Sequence, residues 1–358
     1  MKNTPRGDPA GDQTKPWSSY GGCQDLIRIN PAVVIVVLVL GVTFSGIVLF
    51  NSTSYSWSST IFSHGKVDRE LEKVLKGAAN PNKTVIITIS NQAWAAPNSI
   101  VDLFLESFSK GNGTKRLLDN LVIVSLDHVA QAHCLRVHRH CYEMKFDGAS
   151  KKQSTKEAYF MTPVYLKMMW RRTLFLSTVL EMGYNFVFTD ADIMWLQDPF
   201  PHFFHDADFQ IACDKYNGHP DDLNNSPNGG FIYAKSNNRT INFYKYWCSS
   251  KETYLGKNEQ EVFNLIKHNS FVSELRVRIK FLSTAYFGGF CELSRDFNLV
   301  CTMHANCCFG LKNKVKDLKL VLDDWTKFYS LNSSQKAGDP SLFRWRVPQE
   351  CRKGRIKN

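Results

Sequence analysis

Three short apolar runs limit the folds open to this chain: KTVIITIS (83–90), LVIVSL (121–126) and YNFVFT (184–189). Each is too short for a typical helix, rich in β-branched or aromatic residues, and nearly apolar on both alternations. That is the composition of a strand buried on both faces. Helical patterns lie between them. One opens at Ala96-Pro97-Asn98-Ser99 and runs through Phe108. Another opens at Thr162-Pro163, an N-cap followed by proline at the first helical position. Leu166, Met169, Trp170, Thr173, Leu176 and Leu180 then recur every three or four residues until Gly183 stops the helix. Such alternation predicts an α/β fold, a mostly parallel central sheet flanked by helices. Further along, 209–213 and 230–234 read as strands, 259–267 as a helix, Phe287-Gly288-Gly289 as a turn and 300–304 as a short strand. No boundary shows between 81 and 358, so one domain is expected there.

From Arg28 to Lys66 the chain has no Asp, Glu, Lys or Arg between them, and within that gap lies PAVVIVVLVLGVTFSGIVLF, 31–50. Twenty helical residues at ~1.5 Å each reach ~30 Å, the thickness of a bilayer's hydrocarbon core. A cleaved signal peptide has a shorter apolar core nearer the start and a small-residue cleavage site. The sequence therefore predicts an uncleaved anchor at 31–50, a tail at 1–30, a stem at 51–80 and a catalytic domain at 81–358. Lys2, Arg6, Lys15 and Arg28 precede the span, and Lys or Arg excess favours a cytosolic N-terminus with the rest in a lumen. The sequons at Asn82, Asn112, Asn238 and Asn332 agree with a lumenal location.

The net charge is +11, with Arg344, Arg346, Arg352, Lys353, Arg355 and Lys357 opposed only by Glu350 near the C-terminus. A basic tail suits nucleic acid, an anionic membrane face or an acidic ligand. No nucleic-acid module accompanies it, so nucleic acid is not an expected partner. Nine cysteines follow the anchor. A lumen permits disulfides; Cys134 with Cys141, and two among Cys291, Cys301, Cys307 and Cys308, are candidate pairs. An odd number leaves at least one free or bonded between chains. The cluster HCLRVHRHC (133–141) matches no standard zinc spacing, so a stapled loop is expected instead.

The third strand runs straight into Asp190-Ala191-Asp192. In open α/β sheets ligands sit beyond the carboxyl ends of the strands. Along an extended chain, residues two apart point to the same side. Two converging carboxylates repel unless a cation lies with them, and hard divalent ions such as Mn²⁺ or Mg²⁺ accept such oxygens while keeping positions open for phosphate. Asn228-Gly229-Gly230 reads as a turn. Lys167 and Arg171 share a helix face.

FTDADIMWLQDPF, with YLKMMWRR before it and NGGFIYAKS after it, resembles the plant nucleotide-diphospho-sugar transferases of glycosyltransferase family 77, and more distantly the glycogenin-type family 8. The similarity runs from about 83 to about 330. It implies a GT-A fold, a Rossmann-like single domain on a Golgi anchor. It also implies that Asp190 and Asp192 bind the metal, with Asp190 also near the donor's ribose or sugar. His304 in TMHANCCFGLKNK falls where family 8 completes the metal site, and Gly310 and Lys312 where that family touches the diphosphate; Lys314 competes with Lys312. Lys167, Arg171 and Arg172 would meet the pyrophosphate or donor sugar, Asn228, Gly229 and Gly230 the donor sugar, and Thr88, Ser90 and Asn91 the uracil and ribose. Gln260 matches a glutamine beside the anomeric carbon; Glu259 and Glu261 stand where family 8 has aspartates.

The resemblance implies a metal-dependent, retaining transfer from a UDP-sugar carrying a pentose or galactose to a cell-wall polysaccharide or glycoprotein. Assembly with itself or with other Golgi proteins is left open. A metal-dependent phosphohydrolase is a rival, but often needs a second metal and more ligands than the sequence offers. A non-catalytic lumenal binding or scaffold protein on the same fold is another.

Overall fold

A computed structural model describes residues 68–145, 159–336 and 343–355. The expected tail, the anchor expected at 31–50 and most of the expected stem lie outside the described residues. The three apolar runs form β1 (Thr84–Ser90), β2 (Leu121–Ser125) and β4 (Asn185–Thr189). They pair in parallel, Ile86 opposite Leu121 and Val85 opposite Phe186. β3 (Cys141–Glu143) extends the sheet beyond β2, and β6 (Phe209–Lys215), β7 (Ser226–Ala234) and β8 (Ile279–Phe281) extend the other side. The order is β3-β2-β1-β4-β7-β6-β8, with only β7 antiparallel to its neighbours. A smaller sheet of β5 (Ile193–Trp195), β10 (Thr302–His304) and β9 (Phe287–Gly289) lies in the order β5-β10-β9.

Alternation along each strand divides the core into two layers. Val85, Ile87, Phe186 and Phe188 face α1 (Arg69–Ala78), α4 (Pro163–Glu181), α5 (Asn238–Thr253) and α6 (Glu259–Ile266), meeting Leu75, Leu176, Trp247 and Phe263. Ile86 and Val187 face the opposite layer with Phe104 of α2 (Ile100–Lys110), Trp195 of β5, and Leu318 and Trp325 of α8 (Leu311–Tyr329). α3 (His128–Val137) precedes β3; α7 (Ser270–Glu274), α9 (Ser333–Lys336) and α10 (Glu350–Arg355) are short. The Thr162 hydroxyl accepts from the Tyr165 amide to start α4, and Gly183, at φ +83°, ends it in the left-handed region that glycine adopts without penalty.

Several expectations change. Residues 69–78, assigned to the stem, form α1, whose Leu71, Leu75 and Ala78 are buried; the folded unit starts earlier than its composition suggests. Phe287-Gly288-Gly289 is a strand because it pairs in parallel with β10, and an added Cβ at Gly288 would stand 2.7 Å from the Ser294 amide nitrogen. Asn228-Gly229-Gly230 lies inside β7, where the pairing with β6 shifts register at a bulge. Disulfides join Cys134 to Cys141 and Cys291 to Cys307, and a third, outside the expected pairs, joins Cys308 to Cys351. Cys213, Cys248 and Cys301 are free thiols, each pushed up to about 12 by burial.

Candidate active site

The strands β1, β4 and β6 point the same way, and Asn91, Asp190 and Asp214 stand at or just beyond their carboxyl ends. Asp190 keeps its amide in the sheet, donating to the Gly230 carbonyl at 2.7 Å. The chain then turns, with the Ile193 amide donating to the Asp190 carbonyl at 3.2 Å. The two aspartates therefore converge through a tight turn, not through the two-residue period of an extended strand. β5 follows at once and pairs with β10, His304 opposite Ile193, while the Ala305 amide donates to the Asp192 carbonyl at 3.0 Å. This pairing brings His304 to the aspartates from far along the chain. One ligand atom from each of Asp190, Asp192 and His304 lies within 4.8 Å of the others.

Asp192 is 1% exposed. Its Oδ2 lies 2.5 Å from Lys314 Nζ and its Oδ1 3.2 Å from His304 Nε2. Burial opposes its ionisation, but Lys314 and then His304 overcome that and hold the carboxyl below the usual carboxylate range. Asp190 is shifted upward instead, because burial and the Asp192 charge outweigh the neighbouring Arg172. Arg172 Nη1 donates to Asp190 at 2.9 Å and Nη2 to Glu259 at 2.5 Å, with the guanidinium over the Phe188 ring. Burial and the Glu259 charge raise the Tyr165 hydroxyl nearby.

The glycines of β7 form one side. The Gly229 amide donates to Gln260 Oε1 at 2.8 Å. A Cβ on Gly230 would stand 2.5 Å from His304 Cε1 and 2.7 Å from Asp190 Oδ2, so only glycine leaves room for this grouping. Asp214 accepts from Asn228 Nδ2 at 2.9 Å, from Asn306 Nδ2 at 2.8 Å and from Gln260 Nε2 at 3.4 Å. The three-residue run at the start of α6 divides its work: Glu259 meets Arg172, Gln260 links Gly229 to Asp214, and Glu261 caps the helix on the Asn258 amide.

These groups border a cavity of about 840 Å³, within the usual range for small-molecule sites. Its wall includes Ser90, Asn91, Arg172, Asp190, Asp192, Asn228, Gly230, Gln260, His304 and Gly310. Thr88 is buried outside the wall, and Gly229 reaches the site only through its amide. Lys167 and Arg171 are also outside it, as their stretch of α4 turns Arg172 inward. Lys312 is exposed; Lys314, half a turn further along α8, takes the wall position. Asp214, Asn306, Tyr165 and Trp94 also line the cavity beyond the expected site residues, as does Glu259, expected only as the counterpart of a family-8 aspartate. Asp214 carries the same signal as Asp190, a carboxylate closing an apolar strand, and that signal alone would have marked it.

The donor set suits a hard divalent cation: two carboxylates and an imidazole converge. Asp192 Oδ1 is buried without an aligned hydrogen bond, and glycine at 230 leaves the cradle open.

The sequence matches the nucleotide-diphospho-sugar transferase family over residues 116–318. An uncharacterised Arabidopsis thaliana protein is 47% identical over 300 residues, covering 83% of this chain and 78% of that protein. A UDP-D-xylose:L-fucose alpha-1,3-D-xylosyltransferase of the same plant is 31% identical over 130 residues, 31% of this chain and 35% of that enzyme. Among solved structures, apo mouse xyloside xylosyltransferase 1 aligns with a TM-score of 0.39 at 14% identity, over 63% of this chain and 98% of that one. The match of the family over more than half of the sequence, together with the extended identity to the Arabidopsis protein, shows that this chain belongs to the nucleotide-diphospho-sugar transferases and is a glycosyltransferase.

Proposed function

We propose that the chain moves a sugar from a UDP-sugar to a cell-wall polysaccharide or glycoprotein, in a reaction that needs a divalent cation, Mn²⁺ or Mg²⁺, and retains anomeric configuration. The observation that carries this reading is the convergence of Asp190, Asp192 and His304 beside Lys314 at the carboxyl ends of the strands. Asp190, Asp192 and His304 would hold the cation, which supplies positive charge against the donor's diphosphate. The xylosyltransferase relative makes a pentose the first donor to try, with galactose next. The anchor expected at 31–50 fits a GT-A domain facing the Golgi lumen, with the N-terminus in the cytosol.

The residues of this chain divide the remaining work. As the bond from C1 to the phosphate oxygen breaks, its electron pair stays on the UDP, and the Lys314 ammonium stabilises that growing charge more in the transition state than before it. Gln260, whose Oε1 accepts from the Gly229 amide and whose Nε2 donates to Asp214, is held in the cavity wall that the sugar would meet. Arg172 fixes the half-buried Asp190 and the buried Glu259 in place and offsets the repulsion between the two carboxylates. The acceptor oxygen attacks C1 on the face the UDP leaves, and its proton passes to the departing phosphate. Trp94, Phe160 and Phe309 in the wall limit water access to that bond.

The test incubates the full-length protein with a panel of UDP-sugars and Mn²⁺ and scores UDP release. Cation-dependent release with one or two donors is expected, and Asp192→Asn should abolish it while circular dichroism stays unchanged. Near-normal release by that variant would discard the metal role. UDP binding with no release from any donor would favour a lumenal binding protein instead.

A further inference from the structure

A second cavity, of about 850 Å³, has both cysteines of the Cys291–Cys307 bridge in its wall, and Cys307 belongs to the wall of the first cavity as well. Phe290, Phe343 and Trp345 give it apolar surface, and Arg295, Arg344 and Arg352 stand around it. The indole of Trp345 is fixed: its Nε1 donates to the Ser294 carbonyl at 2.8 Å, and the ring stacks on Phe297 at 3.9 Å between centroids. The one carboxylate among the described residues of the wall, Glu292, is engaged by the Tyr216 amide at 2.9 Å. The arginines are not engaged in this way. Arg346, next in the chain, is paired with Asp323 and Asp324, whereas Arg295, Arg344 and Arg352 form no ion pair among the described residues.

Guanidinium groups around an aromatic-walled cavity match a ligand with apolar ring faces and anionic edges. Sugar rings present C–H faces to aromatics, and a uronic acid adds a carboxylate that arginine binds through two parallel hydrogen bonds. We propose that this cavity binds a carboxylate-bearing glycan, a uronic-acid segment of the acceptor. The assignment to the acceptor rests on the transferase reading above; the binding itself does not. Position supports the pairing, since the two cavities share Cys307 in their walls.

The experiment measures, by calorimetry with the full-length protein and no nucleotide, binding of a galacturonic-acid oligosaccharide and of its fully methyl-esterified, uncharged form. The acid should bind at least about tenfold more tightly than the ester. Arg295→Ala/Arg344→Ala should weaken acid binding by at least about tenfold, and Arg295→Lys/Arg344→Lys should retain part of it. Lys73→Ala/Lys319→Ala, removing equal charge elsewhere, should stay within about twofold. Equal binding of acid and ester, no binding of either, an unaffected arginine-to-alanine variant, or an equal loss in the lysine control would each overturn the proposal. UDP release without glycan is read separately. It should be unchanged in the arginine variants, and its absence from the wild type would count against the transferase reading alone.

Discussion

Lys314 Nζ lies 2.5 Å from Asp192 Oδ2, joining residues 122 positions apart. Gly310, at φ +86°, opens α8 and sets the phase in which Lys314 faces the cavity while Lys312 faces away. On the proposed function, the donor's diphosphate would meet Lys314. Lys314→Met should lower the rate of UDP release by about 10²-fold, the scale of losing one preorganised charge contact in a transition state. Lys312→Met should stay within about twofold of wild type. Steady-state kinetics on the two variants decides between them.

The missing side chain at Gly230 makes a sharper test of geometry. A methyl group there must displace His304 or Asp190, both within 2.7 Å of its position. Gly230→Ala should cut turnover by at least about tenfold and cost about 1–3 kcal/mol of stability from overpacking, measured by UDP release and urea unfolding. Full activity with unchanged stability would show that the cradle has slack.

Much of this site was legible in the sequence because its parts sit at strand ends. β1, β2 and β4 announced themselves as short runs apolar on both alternations, and Asp190 and Asp192 stood out as charges closing such a run. His304 was reached through resemblance, and the β5–β10 pairing supplies its physical reason, which no local pattern in the sequence contains. What stayed hidden depends on rotation about an axis or on distant pairing. Arg172 and Lys314 were named beside Arg171 and Lys312, but the choice within each pair is one of helix phase, and one residue of phase is about 100°. The bulge that keeps Asn228-Gly229-Gly230 inside β7 arises from its partner strand, not from its own residues. α1 escaped notice because its charged face dominates the composition of a stretch that buries only Leu71, Leu75 and Ala78.

Arg172 makes two of the ion pairs in the site. It is 6% exposed and bridges Asp190 and Glu259. Arg172→Met should cost about 3–5 kcal/mol, because it leaves the buried Glu259 carboxylate without its cation and removes one from the half-buried Asp190. Adding Glu259→Gln should recover part of that loss. Urea melts of the single and double variants test the coupling, and equal destabilisation in both would contradict it.

Away from the site, Asp208 is 2% exposed and accepts from Arg239 Nη2 at 2.6 Å, the Arg278 amide at 3.0 Å and Asn237 Nδ2 at 3.1 Å. Burial raises its pKa, but the hydrogen bonds from Arg239 and Arg278 outweigh it, so the folded carboxyl titrates below its ordinary value. A depressed folded pKa adds stability that is present above about pH 4 and lost as the pH falls through the folded value. The urea midpoint should therefore hold from neutrality to about pH 5 and fall below about pH 4. Asp208→Asn should lower the midpoint at neutral pH and flatten the acid decline; an equally steep decline in the variant would assign the acid sensitivity elsewhere.

The most direct measurement is the affinity of the full-length protein for UDP, by calorimetry, with and without Mn²⁺, in wild type and Asp192→Asn. Wild type should bind UDP at least about tenfold more tightly with the cation present, and the variant should bind it equally with or without Mn²⁺. UDP affinity in wild type that ignores the cation would contradict the claim that these acids and the imidazole act through a divalent ion.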